Sequence, residues 1–424
     1  MNLKRSFVLF VSLLFLNLLS AEGKILTIED AVRLAKENNI SVKTAENNLD
    51  SLAVQNKYSW NSVSPTAKLD GKFVDDIDDS TSLSLSGAVN LSLKTNLYSE
   101  IKGAKLNYEK GLLTYSEAVR QIELSVRKKF YNLIYQKENL VLQNRSLETS
   151  RAQYLNNEEK FKNGKISELD AFTSRVNYES KKPVVESAEI NFQNDLASFK
   201  QLLGIPQETE IALDGSLDDF LNLKEISFGL LPKVDEPAPD VKSAEYDVEI
   251  AKNSLLNLRF SAYAPVITGS YSYGKSKKSM QDDWMTTNQL SVGVSVPLDG
   301  ILPWSSSAVK IKEQKNALDT AEKVLEDAKT SVAVQTESYI RKINQAVKQL
   351  DSLKSTEKLA EQTYKMTLAA YNYGKTDFLS LQNANDSVLS AGVNLKSQAY
   401  TLISTILDLE SVLGLEFGTL ETKK

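Results

Sequence analysis

Apolar residues recur along this chain at two different periods. Leu112, Val119, Val126, Leu133, Leu140, Leu147, Tyr154 and Phe161 fall at every seventh position, the signature of helices packed side by side as in a coiled coil. The pattern predicts a helix from about Ser99 to Lys162, on the order of 95 Å long at 1.5 Å per residue. Ile340, Ile343, Val347, Leu350, Tyr364 and Tyr371 predict a second, from about Ser305 to Tyr373. Elsewhere the period drops to two. Leu83, Leu85, Val89, Leu91 and Leu93 alternate with small or polar residues, as do Leu290, Val292, Val294, Val296 and Leu298, which predicts half-buried strands. Shorter partners precede them at Ala67, Leu69, Phe73 and at Ile267, Tyr271, Tyr273. The strand regions are therefore about 66–94 and 265–299, with Asp75–Ser80 and Gly274–Asp283 as polar hairpin loops.

The remaining helices follow from their punctuation. Thr27-Ile28-Glu29-Asp30 resembles a capping box and opens a helix predicted to run to about Trp60, where Pro65 ends the pattern as Pro265 does later. Further helices start near Ser167 and Asp377. Pro183 lies inside the first of these and predicts a kink or break there.

The plan is written twice. Val42-Lys43-Thr44-Ala45-Glu46 returns as Val241-Lys242-Ser243-Ala244-Glu245, and Gly164 and Gly204 return as Gly374 and Gly414, both pairs 40 residues apart. The domain reading is a signal peptide at 1–23, a first repeat at 24–210, a Pro-marked linker at 211–240, a second repeat at 241–416 and a tail at 417–424. Lys4 and Arg5, the apolar Ser6–Leu19 run and Ala21-Glu22-Gly23 carry the export signal.

Composition narrows the chemistry. With no cysteine and no histidine among 424 residues, disulfides, thiolate sites and the commonest general base are unavailable. A formal net charge of −5 argues against a nucleic-acid binder. After the signal region no apolar run reaches the ~20 residues of a spanning helix, so membrane passage would need the strands. Four strands cannot close a barrel, because an open edge cannot face lipid. Membrane entry therefore implies an oligomer. Tyr271, Tyr273 and Trp284 fit an interfacial aromatic girdle, and equally fit packing on a soluble sheet.

The opening Leu26-Thr27-Ile28-Glu29-Asp30-Ala31-Val32-Arg33-Leu34-Ala35, the strand exit Ser295-Val296-Pro297-Leu298-Asp299-Gly300, and the turns Phe161-Lys162-Asn163-Gly164-Lys165-Ile166-Ser167 and Tyr371-Asn372-Tyr373-Gly374-Lys375-Thr376-Asp377 together resemble the TolC family of outer-membrane efflux proteins. The resemblance implies a mainly helical fold with a transmembrane β-barrel portion: a homotrimer whose chains each give four strands to a 12-stranded barrel, over an α-helical periplasmic tunnel. It implies a passive exit duct of a tripartite efflux or type I secretion system. Its partners would be outer-membrane lipid, a periplasmic adaptor and an inner-membrane pump, without cofactor, metal or catalytic residues.

The resemblance also nominates two sites. Gly164, Lys165, Ile166, Gly374, Lys375 and Thr376 would form the adaptor-docking tips, with lysines where the family often has an apolar residue. Family members carry gating aspartates six and nine residues after the second glycine, where this chain has Ser380 and Asn383. Asp170 matches the six position of the first repeat, and Asp377 and Asp386 are the nearest carboxylates in the second. The candidate gate is thus Asp170, Asp377, Ser380 and Asn383, a weaker acidic ring favouring cations. Against this stand a periplasmic coiled-coil scaffold without a pore, and an enzyme. The Asp75, Asp76, Asp78, Asp79 cluster lacks EF-hand spacing and reads as a loop tip.

Overall fold

The computed structural model describes residues 24–76, 80–221, 237–278 and 282–420. The signal peptide, the tips of both hairpins, residues 222–236 of the linker and residues 421–424 lie outside the described residues. In order come β1 (Lys24–Leu26), α1 (Ile28–Asn38), α2 (Ile40–Lys57), β2 (Thr66–Asp76), β3 (Ser80–Lys94), α3 (Leu97–Lys162), α4 (Glu168–Leu203), β4 (Ile211–Leu213), α5 (Pro239–Tyr263), β5 (Val266–Lys277), β6 (Met285–Ser295), α6 (Ser306–Asn372) and α7 (Phe378–Leu413). The chain divides into two units, one of residues 44–117 and 237–332, the other of 1–43, 118–236 and 333–424.

The first unit carries a four-stranded antiparallel sheet in the order β2-β3-β5-β6. The register pairs Leu69 with Gly87, Gly87 with Tyr273, and Tyr273 with Asn288. Because side chains alternate across a strand, Leu69, Phe73, Leu83, Leu85, Val89, Leu91, Leu93, Ile267, Leu290, Val292 and Val294 share one face. Ser82, Ser84, Ser86, Thr268, Ser270, Ser272, Gln289 and Ser291 share the other. Among the described residues nothing covers the apolar face: Leu69 is 78% exposed, Leu290 75% and Val292 74%. Beside the sheet, α3 and α5 pack through small residues and amides. The Asn253 side chain donates to the Ser99 carbonyl at 2.8 Å and Asn96 donates to Asn257 at 2.8 Å.

The second unit holds the apolar core, in which Phe130, Leu133, Phe199, Ile343, Leu402 and Ile403 are buried. Its short parallel pair of β1 and β4 aligns Ile25 with Ala212. That pair places part of the predicted 211–240 linker in a sheet, a pairing that two three-residue strands do not announce by periodicity.

Four expectations need correction. The first helix does not run unbroken to Trp60. It turns at Asn39, whose side chain accepts from the Ser41 amide and donates to the Leu202 carbonyl, both at 2.8 Å, so that it satisfies the backbone in place of a helix turn. Pro183 does not break α4, which continues from Glu168 to Leu203; burial of Asn177 and Val185 on either side holds the helix through it. Gly274–Lys277 belong to β5 and not to a loop, because the ladder with β3 continues to Lys277. Finally, the heptad stripe of α3 is buried only at its centre, at Val126 and Leu133; Leu112 and Phe161 are exposed. Towards the end of α3 the buried seam is polar, running through Ser146, Ser150, Gln153 and Asn157.

Candidate functional site

Each of the two longest helices ends in a left-handed backbone conformation that favours glycine. Gly164 and Gly374 have φ of 65° and 68°. The Gly164 amide donates to the Phe161 carbonyl and Lys165 to Lys160, both at 2.8 Å; Gly374 donates to Tyr371 at 3.0 Å and Lys375 to Ala370 at 2.9 Å. These paired bonds are the Schellman cap. Gly204 and Gly414 end α4 and α7 the same way, with φ of 68° and 71°. The surroundings separate the pairs. A Cβ on Gly164 or Gly374 would meet nothing within 4 Å, whereas one on Gly204 would lie 2.7 Å from the Asn38 carbonyl oxygen. Two glycines close solvent-facing tips, and Gly204 closes a packed corner.

The next helix begins within four residues of each tip. Ser167 caps α4: its hydroxyl accepts the Asp170 amide at 3.1 Å and donates to the Asp170 carboxylate at 2.7 Å. Asp377 caps α7 by accepting the Ser380 amide at 2.8 Å. The Ser380 hydroxyl and amide hold the Asp377 carboxyl below its ordinary range. Asp377 thus caps its helix directly, and Asp170 steadies the Ser167 cap from the first turn; both lie where the macrodipole favours negative charge. Ser380 is brought to Asp377 by this cap. Asn383 lies one turn further along α7, exposed. Lys165 and Lys375 are exposed, and Ile166 and Thr376 half-buried.

Tyr371 joins the two turns. Its hydroxyl donates to Asn157 at 2.7 Å, its ring lies 4.7 Å from the Lys160 ammonium, and it packs edge-on against Phe378. Burial raises its phenol, the Asn157 bond opposes that, and the nearby Asp170 charge adds to the rise. Behind it, α3, α4, α6 and α7 meet through hydrogen bonds. Lys181 donates to Ser146 and pairs with Asp386, both at 2.8 Å, so Asp386 is occupied by an ion pair between α4 and α7. A seam of this kind exchanges its bonds for water on opening, and so separates at lower cost than the apolar core.

The sequence reading did not single out Leu169 and Leu379. They stand five residues after Gly164 and Gly374, and are 74% and 56% exposed. With Phe172 and Tyr373, also exposed, they give the tips an apolar component. The repeat itself carried the signal, since the two leucines are equivalent under the 210-residue offset of the glycines.

A family profile described as outer membrane efflux protein matches residues 230–415. Over that stretch the chain is similar to outer membrane efflux proteins. It is 20% identical over 306 residues to outer membrane protein TolC of Vibrio cholerae, which covers 71% of this chain and 69% of that protein. The likeness in fold to solved outer membrane channels extends over nearly all of the chain. The CmeC outer membrane channel of Campylobacter jejuni superposes with a TM-score of 0.77 at 17% identity, covering 91% of this chain and 85% of the other. The MtrE outer membrane channel of Neisseria gonorrhoeae, in its open state, gives 0.74 at 18%, covering 92% and 89%.

Proposed function

We propose that this chain is a passive outer-membrane exit duct of a tripartite efflux or secretion system. The observation that carries this reading is the four-stranded sheet, apolar and exposed on one face and serine-rich on the other, with β2 and β6 as its edges. Such a sheet suits lipid on one side and water on the other. Its edges suit pairing between copies, β2 of one chain with β6 of the next, which for three chains makes a 12-stranded barrel. The helices form the periplasmic portion. Transport energy comes from an inner-membrane pump joined through a periplasmic adaptor, and the duct performs no chemical step itself.

Within this reading the tips at Gly164, Lys165, Ile166 and at Gly374, Lys375, Thr376 receive the adaptor, with Leu169 and Leu379 as apolar anchors beside the lysines. Asp170 and Asp377, with Ser380 beside Asp377 and Asn383 one turn further along α7, form the gate. The exposure of these turns and the hydrogen-bonded seam behind them support both assignments. The test is planar-bilayer conductance of the detergent-purified mature protein, with oligomeric mass measured on the same sample. Discrete channels from a trimer are expected. A monodisperse water-soluble protein without conductance would refute the duct.

A further inference from the structure

The apolar face of the sheet is graded along its strands. Reading across the register, the row nearest the helices is Leu93, Ile267 and Val294; two rows further, Val89, Tyr271 and Leu290; then Gly87, Tyr273 and Asn288; then Leu85, Lys275 and Thr286. The next row holds Phe73, Leu83 and Lys277. Trp284, one residue before β6, continues the alternation of that strand onto the same face, and the Lys277 ammonium lies 5.4 Å from its ring. From Ile267 to Lys277 the strand rises about 33 Å at ~3.3 Å per residue, or roughly 25 Å along the membrane normal at a tilt of ~40°, which is the height of a barrel's apolar band. Aliphatic, aromatic and cationic side chains therefore succeed one another over one membrane thickness. Among the described residues of that face the lysines occur at the hairpin end alone.

We infer that Lys275, Lys277 and Trp284 form a binding site for the phosphorylated headgroup of an anionic glycolipid of the outer leaflet. This rests on the duct reading, which directs the hairpin ends outward because the opposite strand ends lead into the helices. The occupant must be amphipathic: the two ammonium groups share a face with Leu83, Leu85 and Phe73, so a ligand that binds them lays its chains on those side chains. An acidic soluble protein would leave this apolar surface uncovered. Asp75, on the same face at the edge strand β2, limits the cationic patch to the β5–β6 side. The cation–π contact with Trp284 holds the Lys277 ammonium at this end of the apolar face.

The test uses the full mature chain, wild type, K275Q/K277Q and K275R/K277R, reconstituted in phosphatidylcholine vesicles with or without bis-phosphorylated lipid A. Native mass spectrometry after extraction counts the lipid A retained, with fully dephosphorylated lipid A as the control. Each lysine near a charged lipid surface is worth about fivefold, so the glutamine pair should lose roughly thirtyfold in retention and the arginine pair should keep it. Wild type should prefer the phosphorylated lipid. Normal insertion and conductance with equal retention by all three proteins would overturn the lysine site and leave the duct standing. Failure of every protein to enter vesicles would overturn the duct, and the lipid site with it.

Discussion

Replacing Gly204 by alanine tests whether the four glycine caps are equivalent. All four have φ near 70°, so any L-residue pays about 1–2 kcal/mol for the left-handed backbone. At Gly374 that is the whole cost, since the new Cβ meets open space. At Gly204 the same methyl would lie 2.7 Å from the Asn38 carbonyl oxygen and 2.8 Å from both the Asn38 carbonyl carbon and Cβ. Two of these are backbone atoms, and Asn39 next along is tied to the Leu202 carbonyl, so the corner between α1 and α2 must move. Overpacking of this kind adds about 1–3 kcal/mol, which brings Gly204→Ala to roughly 2–5 kcal/mol against about 1–2 for Gly374→Ala. Guanidinium unfolding of the mature protein in detergent, followed by circular dichroism, compares the two variants, and hydrogen exchange over residues 200–205 localises the loss. Asn38→Gly should rescue Gly204→Ala poorly, because it removes only one of the three contacts. Equal unfolding midpoints for Gly204→Ala and Gly374→Ala would show that surroundings do not distinguish the caps.

Phe130→Ala, which empties a fully buried site against Tyr131 and Phe199, should cost about 3–5 kcal/mol in the same unfolding assay. Burial pushes the Glu123 carboxyl up, but Lys36 at 2.6 Å and Arg127 at 2.9 Å outweigh it and the net shift is downward. Its contribution to stability is therefore present above the ordinary glutamate range and lost as pH falls through the lowered folded value. An acid titration of Glu123→Gln should show a flatter limb than wild type; identical limbs would exclude this cluster as a source of acid sensitivity. At the tips, Asp170→Asn with Asp377→Asn should lower the cation preference of single channels without changing global unfolding. Unchanged reversal potentials would remove these carboxylates from the gate.

The long helices and paired hairpins were legible in the chain because each rests on local periodicity. A heptad sustained over α3 and an alternation sustained over β3 and β6 have few other folded solutions. The glycine tips were legible for a similar reason, since the repeat set Gly164 beside Gly374 and left-handed caps favour glycine. Distinguishing Gly204, packed against Asn38, from Gly164 and Gly374, open to solvent, needed coordinates, because the cap geometry is identical and only distant residues differ. The turn at Asn39 and the continuity of α4 through Pro183 were likewise settled by partners far along the chain. So were the polar seam that took over from the heptad stripe near Asn157 and the β1–β4 pair. Periodicity reports which face of an element is apolar; which neighbour covers that face, and which polar group meets another across it, is decided by packing between segments that the order of residues does not encode locally.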